Sequence, residues 1–328
     1  MNILVTGGAG YIGSITVAEL LAQGHAVVVL DDLSTGHRAA VPAAAAFVQA
    51  DIADKHAVLR AIADHSVDAV MHFAAASLVG ESMSDPVKYY DNNVSGSIAL
   101  LGAVVAGGVR RFVLSSTAAL FGTPDSVPIA ESAAIRPESV YGETKHAVER
   151  LLHWLATTKG LGYAALRYFN AAGASADLGE DHQPETHLIP IVLQVAAGTR
   201  PHVGVFGTDY QTPDGTAVRD YVHVLDLAAA HVLALEAIEP GAKLEYNLGS
   251  GAGYSVRQVI EACRVVTGRD IPEVASPRRA GDPPILVADS TRARSQLGWR
   301  PAHESLEAMV ASAWRWRQAN PDGYPGQR

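Results

Sequence analysis

The chain opens with an apolar stretch that runs directly into a glycine-rich turn. Asn2–Thr6 has the composition of a buried strand and is followed by Gly7-Gly-Ala-Gly10-Tyr-Ile-Gly13. The glycines let the backbone turn tightly, and a helix beginning near Tyr11 would direct unpaired N–H groups and its positive dipole end at a phosphate. The pattern predicts a strand, a turn and a helix that together bind the pyrophosphate of a dinucleotide.

A carboxylate follows at the place where such a fold contacts a ribose. The predicted helix runs from Tyr11 to about Gln23, with Gly24 as its stop signal, and a second strand over His25–Leu30 ends at Asp31. A carboxylate there accepts hydrogen bonds from ribose hydroxyls and repels a 2′-phosphate. The sequence therefore predicts NAD rather than NADP as the cofactor.

Strands and helices alternate through the first 170 residues. This alternation predicts an α/β fold with a doubly wound parallel (Rossmann) sheet, whose ligands collect beyond the carboxyl ends of the strands. The expected elements after Asp31 are a strand ending at Asp51, a helix near Asp54–His65, a strand at Asp68–Phe73, a helix near Pro86–Gly107, a strand at Arg111–Ser115, a helix with Tyr141 and a strand at Tyr163–Tyr168.

The pattern becomes irregular from about Gly173. Turn-rich stretches at Gly179–Thr186 and Gly207–Gly215 interrupt short helical segments. We expect residues 1–172 to form the NAD-binding domain, with roughly 216–237 returning to it. Residues 173–328 are expected to form mainly a smaller mixed α/β domain that binds the substrate.

Tyr141 and Lys145 lie four residues apart in an expected helix, so their side chains share one face. A phenol with an ordinary pKa of about 10 is a poor base at neutral pH, but a nearby cation favours phenolate. The pair predicts a base that removes a proton from an alcohol. Such a pair alone is equally typical of a helix surface, and the glycine turn is what favours catalysis.

Composition excludes several classes of protein. A formal charge of −9 argues against a general nucleic-acid surface, and no apolar stretch is long enough to span a membrane. The first strand begins almost at Met1, which leaves no room for a secretion signal, and Cys263 is the single cysteine. We expect a cytoplasmic enzyme. The thirteen histidines are dispersed without typical metal-site spacing, so we expect no protein-bound metal.

Five motifs in order resemble the extended short-chain dehydrogenase/reductase family. The likeness runs from Asn2 to Pro325. It implies NAD-dependent reversible oxidation at carbon 4 of a UDP-sugar, through a 4-keto intermediate that turns in the site, and so interconversion of UDP-galactose and UDP-glucose. The motifs are the glycine turn, Ser115–Gly122, Tyr141-x-x-x-Lys145, Leu166–Gly173 and Arg219–Val224.

The same resemblance implies roles for individual residues. Tyr141 takes the proton of the 4-hydroxyl, Lys145 holds the phenolate and the nicotinamide ribose, and Thr117 binds the reacting oxygen. Positions implied for the cofactor are Gly7, Gly10, Tyr11, Ile12, Gly13, Asp31, Asp32, Leu33, Ser34, Asp51, Ile52, Phe73, Ala74, Ala75, Asn93, Tyr141, Lys145 and Phe169. Positions implied for the sugar nucleotide are Thr117, Asn170, His187, Leu188, Val205, Phe206, Arg219, Arg279, Asp282 and Leu286.

Several positions depart from the family pattern. Phe121 stands where tyrosine is more usual, Ser77 replaces a lysine of some relatives, and His187 replaces a phosphate-binding asparagine. Leu286 lies where relatives have either a bulky tyrosine or a small residue, so UDP-N-acetylhexosamines or another UDP-sugar stay open as substrates. Arg278 rivals Arg279 for the same phosphate contact.

Two other functions use the same fold. Nucleotide-sugar dehydratases need an Asp-Glu pair after the threonine, where this chain has Ala118 and Ala119. A non-catalytic NAD-binding sensor would commonly lose the tyrosine or the lysine, and both are present. The resemblance also implies a homodimer formed through the helices near Pro86–Gly107 and Tyr141–Lys159.

Overall fold

A seven-stranded parallel sheet forms the centre of the computed structural model, which describes residues 1–279 and 282–326. Its strands are β1 (Asn2–Thr6), β2 (Ala26–Asp31), β3 (Ala46–Gln49), β4 (Ala69–His72), β5 (Arg111–Thr117), β6 (Gly162–Tyr168) and β11 (Lys243–Leu248). Their order across the sheet is β11, β6, β5, β4, β1, β2, β3. The predicted Rossmann sheet is confirmed.

Helices cover both faces of this sheet. One face packs against α1 (Tyr11–Ala22) and α8 (Val224–Ala237), and the other against α2 (Lys55–Asp64), α5 (Gly96–Ala106) and α6 (Val140–Lys159). Because both faces are covered, the strands read as nearly continuous apolar runs, such as Ala26–Leu30.

The helix expected near Pro86–Gly107 is continuous but not uniform. It consists of α4 (Pro86–Tyr89), a π-helical segment over Tyr90–Ser95, and α5. α3 (Val79–Ser84) precedes it, and Asp85 caps α4 by accepting a hydrogen bond from the Lys88 N–H at 3.2 Å. No helix in the described residues is both long and apolar enough to cross a membrane.

The chain beyond Gly173 builds a second apolar cluster. It is formed by α7 (Leu188–Ala196), α9 (Val256–Thr267) and α11 (Leu306–Ala319), and it contains the buried thiol of Cys263. Three small sheets lie here: β7 (Asn170–Ala172) with β10 (Tyr221–His223), β8 (Val203–Phe206) with β13 (Glu273–Ser276), and β9 (Val218–Arg219) between β12 (Tyr254–Ser255) and β14 (Ile285–Leu286). A short helix, α10 (Thr291–Gln296), precedes α11.

Two later segments return to the main sheet. Helix α8 packs on α1. Strand β11 lies beyond that region and pairs with β6, placing Leu248 beside Tyr168. The division into two domains at residue 172 stays a prediction.

Candidate active site

The turn after β1 is too tight for any side chain other than hydrogen. Gly7 has a φ of +73°, and a Cβ there would lie 2.4 Å from the Ala74 nitrogen in the turn after β4. A Cβ at Gly13 would lie 2.2 Å from the Gly7 carbonyl oxygen. Among the described residues no side chain caps α1 at Gly10, so the helix start offers its backbone N–H groups to a ligand. This cradle fits a pyrophosphate.

Acidic residues lie at the end of β2, as predicted. Asp31 is buried and accepts hydrogen bonds from the Leu33 and Ala9 N–H groups at 2.9 and 3.0 Å. Burial raises the pKa of Asp31, although these hydrogen bonds oppose the shift. Asp32 accepts hydrogen bonds from the backbone and hydroxyl of Ser34 at 2.9 and 2.7 Å. The arrangement fits the ribose hydroxyls of NAD.

The other predicted cofactor residues surround the same end of the sheet. Asp51 accepts a hydrogen bond from the Ala53 N–H at 2.8 Å, and Ile52 is buried beside it. The phenol of Tyr11 donates to the Gly173 carbonyl at 2.5 Å, which ties α1 to the end of β7. Further positions in this region are Ile12 on α1, Ala75 in the turn after β4, and Phe169 between β6 and β7.

Asn93 fixes the turn after β4 to the catalytic helix. Its side-chain oxygen accepts the Ala76 N–H at 2.8 Å, and its amide donates to the Ala76 carbonyl at 3.0 Å and to the Thr144 hydroxyl at 3.1 Å. The ring of Phe73 in the same turn packs on His231 at 4.8 Å. Whether Asn93 also contacts the cofactor stays a prediction.

Helix α6 presents three chemical groups on one face. The helix begins because the Ser139 hydroxyl accepts the Gly142 N–H, and it ends at Gly160 in the left-handed conformation. Tyr141, Lys145 and Glu149 follow at four-residue spacing, so they line up toward the sheet.

Lys145 is buried, and the neighbouring carboxylate of Glu149 balances its positive charge only in part. It is 3% exposed, and this burial lowers the pKa of Lys145 to about 8, with Glu149 opposing the shift. Glu149 accepts hydrogen bonds from the Ser116 hydroxyl at 2.5 Å and from the Arg167 guanidinium at 2.6 and 3.1 Å. The motif search missed Glu149, since its role depends on strands β5 and β6.

Thr117 and Tyr141 meet as the sequence predicts, but the pKa of the phenol moves the other way. The Thr117 hydroxyl bonds the Tyr141 phenol, and burial raises the pKa of Tyr141 to about 12. The expected shift of this pKa toward phenolate is therefore not seen in the protein alone, and the role of Tyr141 as the base stays a prediction. The reason is physical: removing the phenolate from water costs more than the Thr117 hydrogen bond returns.

Arg219 and Leu286 lie side by side on β9 and β14. The Arg219 guanidinium pairs with the Asp282 carboxylate and donates to the Pro283 and Val218 carbonyls at 2.8 and 2.7 Å. Leu286 packs on the cluster that contains Ala118 and Phe121, directly after Thr117. The sequence-predicted substrate residues thus lie close to the catalytic strand end.

The two rival arginines have different partners. Arg278 pairs with Asp209 at 2.8 Å and covers the Tyr210 ring, whereas Arg279 lies 4.1 Å from the centre of the Phe206 ring. Both line a cleft of about 340 Å³ that also contains Asp282. Val205, next to Phe206 on β8, is buried instead.

Asn170 and His187 occupy positions with clear partners. The Asn170 amide donates to the Asp220 carbonyl at 3.1 Å. His187 precedes Leu188 at the start of α7, and its Nδ1 lies 2.7 Å from a Glu180 carboxylate oxygen. Partial desolvation of the imidazole, whose side chain is 44% exposed, opposes protonation, but the carboxylates of Glu180 and Glu185 outweigh it and raise the pKa of His187 to about 10. Its predicted phosphate contact stays a prediction.

Asp220 is a structural residue that motif analysis did not single out. Its carboxylate accepts hydrogen bonds from the Ser250 N–H and hydroxyl, both at 2.7 Å, and from the Gly251 and Ala288 N–H groups, both at 3.0 Å. It joins the strands that carry Arg219 and Leu286 to the loop after β11. Its position directly after Arg219 in the motif Arg-Asp-Tyr-Val-His is the sequence signal it gives.

The fold and this site define a Rossmann enzyme whose tyrosine, lysine and threonine lie beside a dinucleotide cradle. A family model described as the NAD dependent epimerase/dehydratase family matches residues 3–249. The chain belongs to that family.

Similar proteins cover almost the whole chain. A UDP-glucose 4-epimerase of Lacticaseibacillus casei is 51% identical over 327 residues, which are 99% of this chain and 99% of that protein. A crystal structure of UDP-glucose 4-epimerase superposes with a TM-score of 0.96 at 48% identity, covering 99% of this chain and 100% of the other. The Bifidobacterium longum UDP-glucose 4-epimerase in complex with NAD+ and UDP gives 0.94 at 37% identity, with 99% and 100% covered.

Proposed function

We propose that the protein is a UDP-glucose 4-epimerase, which interconverts UDP-galactose and UDP-glucose by reversible oxidation at carbon 4 of the sugar. The observation that carries this proposal is the hydrogen bond between Thr117 at the end of β5 and Tyr141 on α6, with the buried Lys145 one helical turn further along α6. The similarity to UDP-glucose 4-epimerases along the whole chain supports it.

NAD supplies the hydride acceptor for the oxidation and the hydride donor for its reversal. The residues that would hold it lie along the carboxyl ends of β1, β2, β4 and β5. The pyrophosphate would lie against Gly7, Gly10 and the N–H groups of Tyr11 and Ile12, and the adenosine ribose against Asp31. Lys145 would donate to the nicotinamide ribose.

Tyr141 acts as the base that takes the proton of the 4-hydroxyl, and Thr117 donates a hydrogen bond to the reacting oxygen. Because burial raises the pKa of Tyr141 to about 12, the phenol needs added positive charge to ionise near neutral pH. Lys145 supplies positive charge when protonated, and Tyr141 would ionise more readily with a cationic cofactor bound beside it. After the 4-keto sugar has turned, Tyr141 returns the proton to the oxygen on the other face.

The sugar must turn while the nucleotide is held. Arg219 and Arg279 would bind the diphosphate, since a guanidinium engages phosphate oxygens in pairs. Asp282 and two backbone carbonyls orient the Arg219 guanidinium for this contact. Asn170, His187 and Asp282 would also bind UDP.

The alternative substrate is a UDP-N-acetylhexosamine or another UDP-sugar. Leu286 packs with Ala118 and Phe121 and is intermediate in size between tyrosine and a small residue. Dehydration of the sugar is disfavoured, because Ala118 and Ala119 carry no group that transfers a proton.

The test is conversion of UDP-galactose by the purified protein without added NAD, with UDP-N-acetylgalactosamine and UDP-glucuronate in parallel. We expect UDP-glucose to accumulate to equilibrium, because the cofactor stays bound through the cycle. Failure to convert UDP-galactose even with NAD added, or formation of a 4-keto-6-deoxy sugar, would contradict the proposal.

We also propose that the enzyme is a cytoplasmic homodimer paired through α4, α5 and α6. Large apolar side chains are exposed along these helices: Val87 is 75% exposed, Ile98 51% and Trp154 55%. Such a patch on neighbouring helices is typical of an interface between protein chains. Light scattering should give twice the chain mass for the native protein and a monomer for Ile98→Asp, whereas a native monomer would contradict the dimer.

A further inference from the structure

Four side chains between Gly179 and α7 bring metal-ligand atoms together. Glu180, His182, Glu185 and His187 each offer one nitrogen or oxygen, and these atoms lie within 4.8 Å of one another. Glu180 Oε1 lies 2.7 Å from His187 Nδ1 and 3.1 Å from His182 Nδ1. Both imidazoles therefore direct the same type of nitrogen at one carboxylate.

The two carboxylates of this cluster are buried and the two histidines are partly open. The side chains of Glu180 and Glu185 are 8% and 6% exposed, whereas those of His182 and His187 are 29% and 44% exposed. Buried carboxylates need positive charge close by. One divalent cation with two neutral imidazoles neutralises both carboxylates as fully as two protonated imidazoles do.

The surrounding chain holds the cluster in place. Asp181, between the first two members, accepts the Tyr324 N–H at 2.9 Å, and its carbonyl lies 2.9 Å from His37 Nε2. Glu185 Oε1 accepts the backbone N–H groups of Thr186 and His187 at 2.7 and 2.8 Å. This leaves Glu185 Oε2 directed toward His182 Nδ1, 4.0 Å away.

We infer that Glu180, His182, Glu185 and His187 bind one divalent first-row metal ion, for which Zn²⁺ is the best fit. Two imidazoles and two carboxylates suit a four-coordinate zinc site, with metal–ligand distances of about 2.0–2.2 Å. Ligand atoms of such a tetrahedron lie roughly 3.3–3.6 Å apart by the same distances. The ligand atoms lie from 2.7 Å to at most 4.8 Å apart, so modest side-chain movements reach that geometry. Mg²⁺ and Ca²⁺ prefer six or more oxygen ligands.

The spacing Glu-x-His-x-x-Glu-x-His explains why sequence analysis expected no metal, since it differs from the familiar zinc motifs. The ion would have a structural effect, because the His182 ring contacts the Tyr11 ring edge-on at 6.4 Å between centroids. It would fasten the segment before α7 to the start of α1. Coordination through Nδ1 leaves Nε2 of His187 as a hydrogen-bond donor, so a phosphate contact there is compatible.

The test is metal titration of the full-length protein after treatment with a chelator. Zn²⁺ is followed by calorimetry and Co²⁺ by the visible absorption of its four-coordinate complex. We expect one ion per chain, and no competition by excess Mg²⁺. In the double variant His182→Gln/Glu185→Gln the affinity should fall more than about 100-fold, since losing an outer partner alone costs roughly 10- to 100-fold.

A matched control is His303→Gln. His303 and Asp226 form a single histidine–carboxylate pair at 3.2 Å, with exposures of 41% and 7% that resemble those of the cluster. We expect this variant to bind the ion as tightly as the native chain does. If the double variant fails to fold, the single variant His182→Gln and X-ray absorption of the cobalt-loaded native protein replace it, with two nitrogen ligands expected. Less than one ion per native chain, or unchanged affinity in the cluster variants, would overturn the inference.

Discussion

The proposed catalytic groups and the proposed substrate-binding groups are held in different ways. Thr117, Tyr141 and Lys145 lie on a long strand and a capped helix, and the last of them is almost fully buried against Glu149. Arg219 and Leu286 lie on two-residue strands, and Arg279 lies beyond any strand at the edge of an open cleft. The proposed chemistry is thus supported by long elements of the main sheet, whereas the proposed recognition of the nucleotide depends on short strands and a loop.

The largest expected effect on activity is that of Tyr141→Phe, which tests the proposed catalytic groups. We expect turnover of UDP-galactose to fall about 10²- to 10⁴-fold, because the proton acceptor is removed while the ring stays. Bound NAD, measured by its absorbance after denaturation, should be retained. Tyr168→Phe serves as control, since that phenol also lies close to Tyr141 and bonds Ser115. Equal losses in both variants would contradict the assigned base.

A second prediction concerns the acid stability of the main sheet and the helices packed on it. Burial lowers the pKa of His231 to about 4, with a hydrogen bond to the Leu227 carbonyl opposing the shift. The folded state thus binds fewer protons than the unfolded state between about pH 4 and 6.5, and its stability falls as pH drops through that range. His231→Phe should remove up to about 3 kcal/mol of this loss.

Denaturant unfolding of both proteins at several pH values measures that difference. Other buried histidines, such as His72, titrate in both proteins and cancel in the comparison. Parallel curves of unfolding free energy against pH would show that His231 is not held neutral by the fold.

Among the residues proposed to bind the nucleotide, Arg219→Ala should weaken substrate binding more than Arg278→Ala. Loss of a charge-assisted phosphate contact costs about 1.5–3 kcal/mol, which corresponds to a KM roughly 10- to 150-fold higher. The Arg278 side chain is 46% exposed, against 14% for Arg219, and its pair with Asp209 lies at the surface, so its loss should change KM only slightly. The ratio of the two KM values is the measurement. A larger effect at Arg278 would transfer the phosphate contact to that residue.

The smallest expected effect is a change of substrate preference at Leu286. Leu286→Ala should raise kcat/KM for UDP-N-acetylgalactosamine relative to UDP-galactose about 10-fold, the scale of a few methylene groups in an apolar pocket. Val192→Ala offers a control, because that side chain is buried in the separate cluster around α7 and α9. Equal ratios in both variants would show that Leu286 does not line the sugar pocket.

The sequence predicts the cradle and the catalytic helix well, because both depend on neighbours along the chain. Gly7 and Gly13 are required by local backbone geometry, and Tyr141 and Lys145 share a face through helical spacing alone. The roles of Glu149 and Asp220 could not be predicted in this way. Each depends on partners from distant segments, such as Arg167 on β6 or Ala288 after β14.

The direction of the pKa shift at Tyr141 also could not be predicted from local sequence. Spacing predicts that Lys145 lies near the phenol, but the degree of burial is a property of the folded sheet. Likewise, β11 joins the main sheet although it follows a long irregular region, because its edge pairing with β6 cannot be read from local pattern.

Deuterium placed at carbon 4 of UDP-galactose tests the central claim most directly. If the hydrogen leaves carbon 4 as a hydride and returns to the other face within one closed site, the UDP-glucose formed in ordinary water should keep the label at carbon 4. Mass spectrometry and proton NMR of the product measure that retention. Loss of the label to solvent would show that carbon 4 is deprotonated rather than oxidised, and would contradict the account.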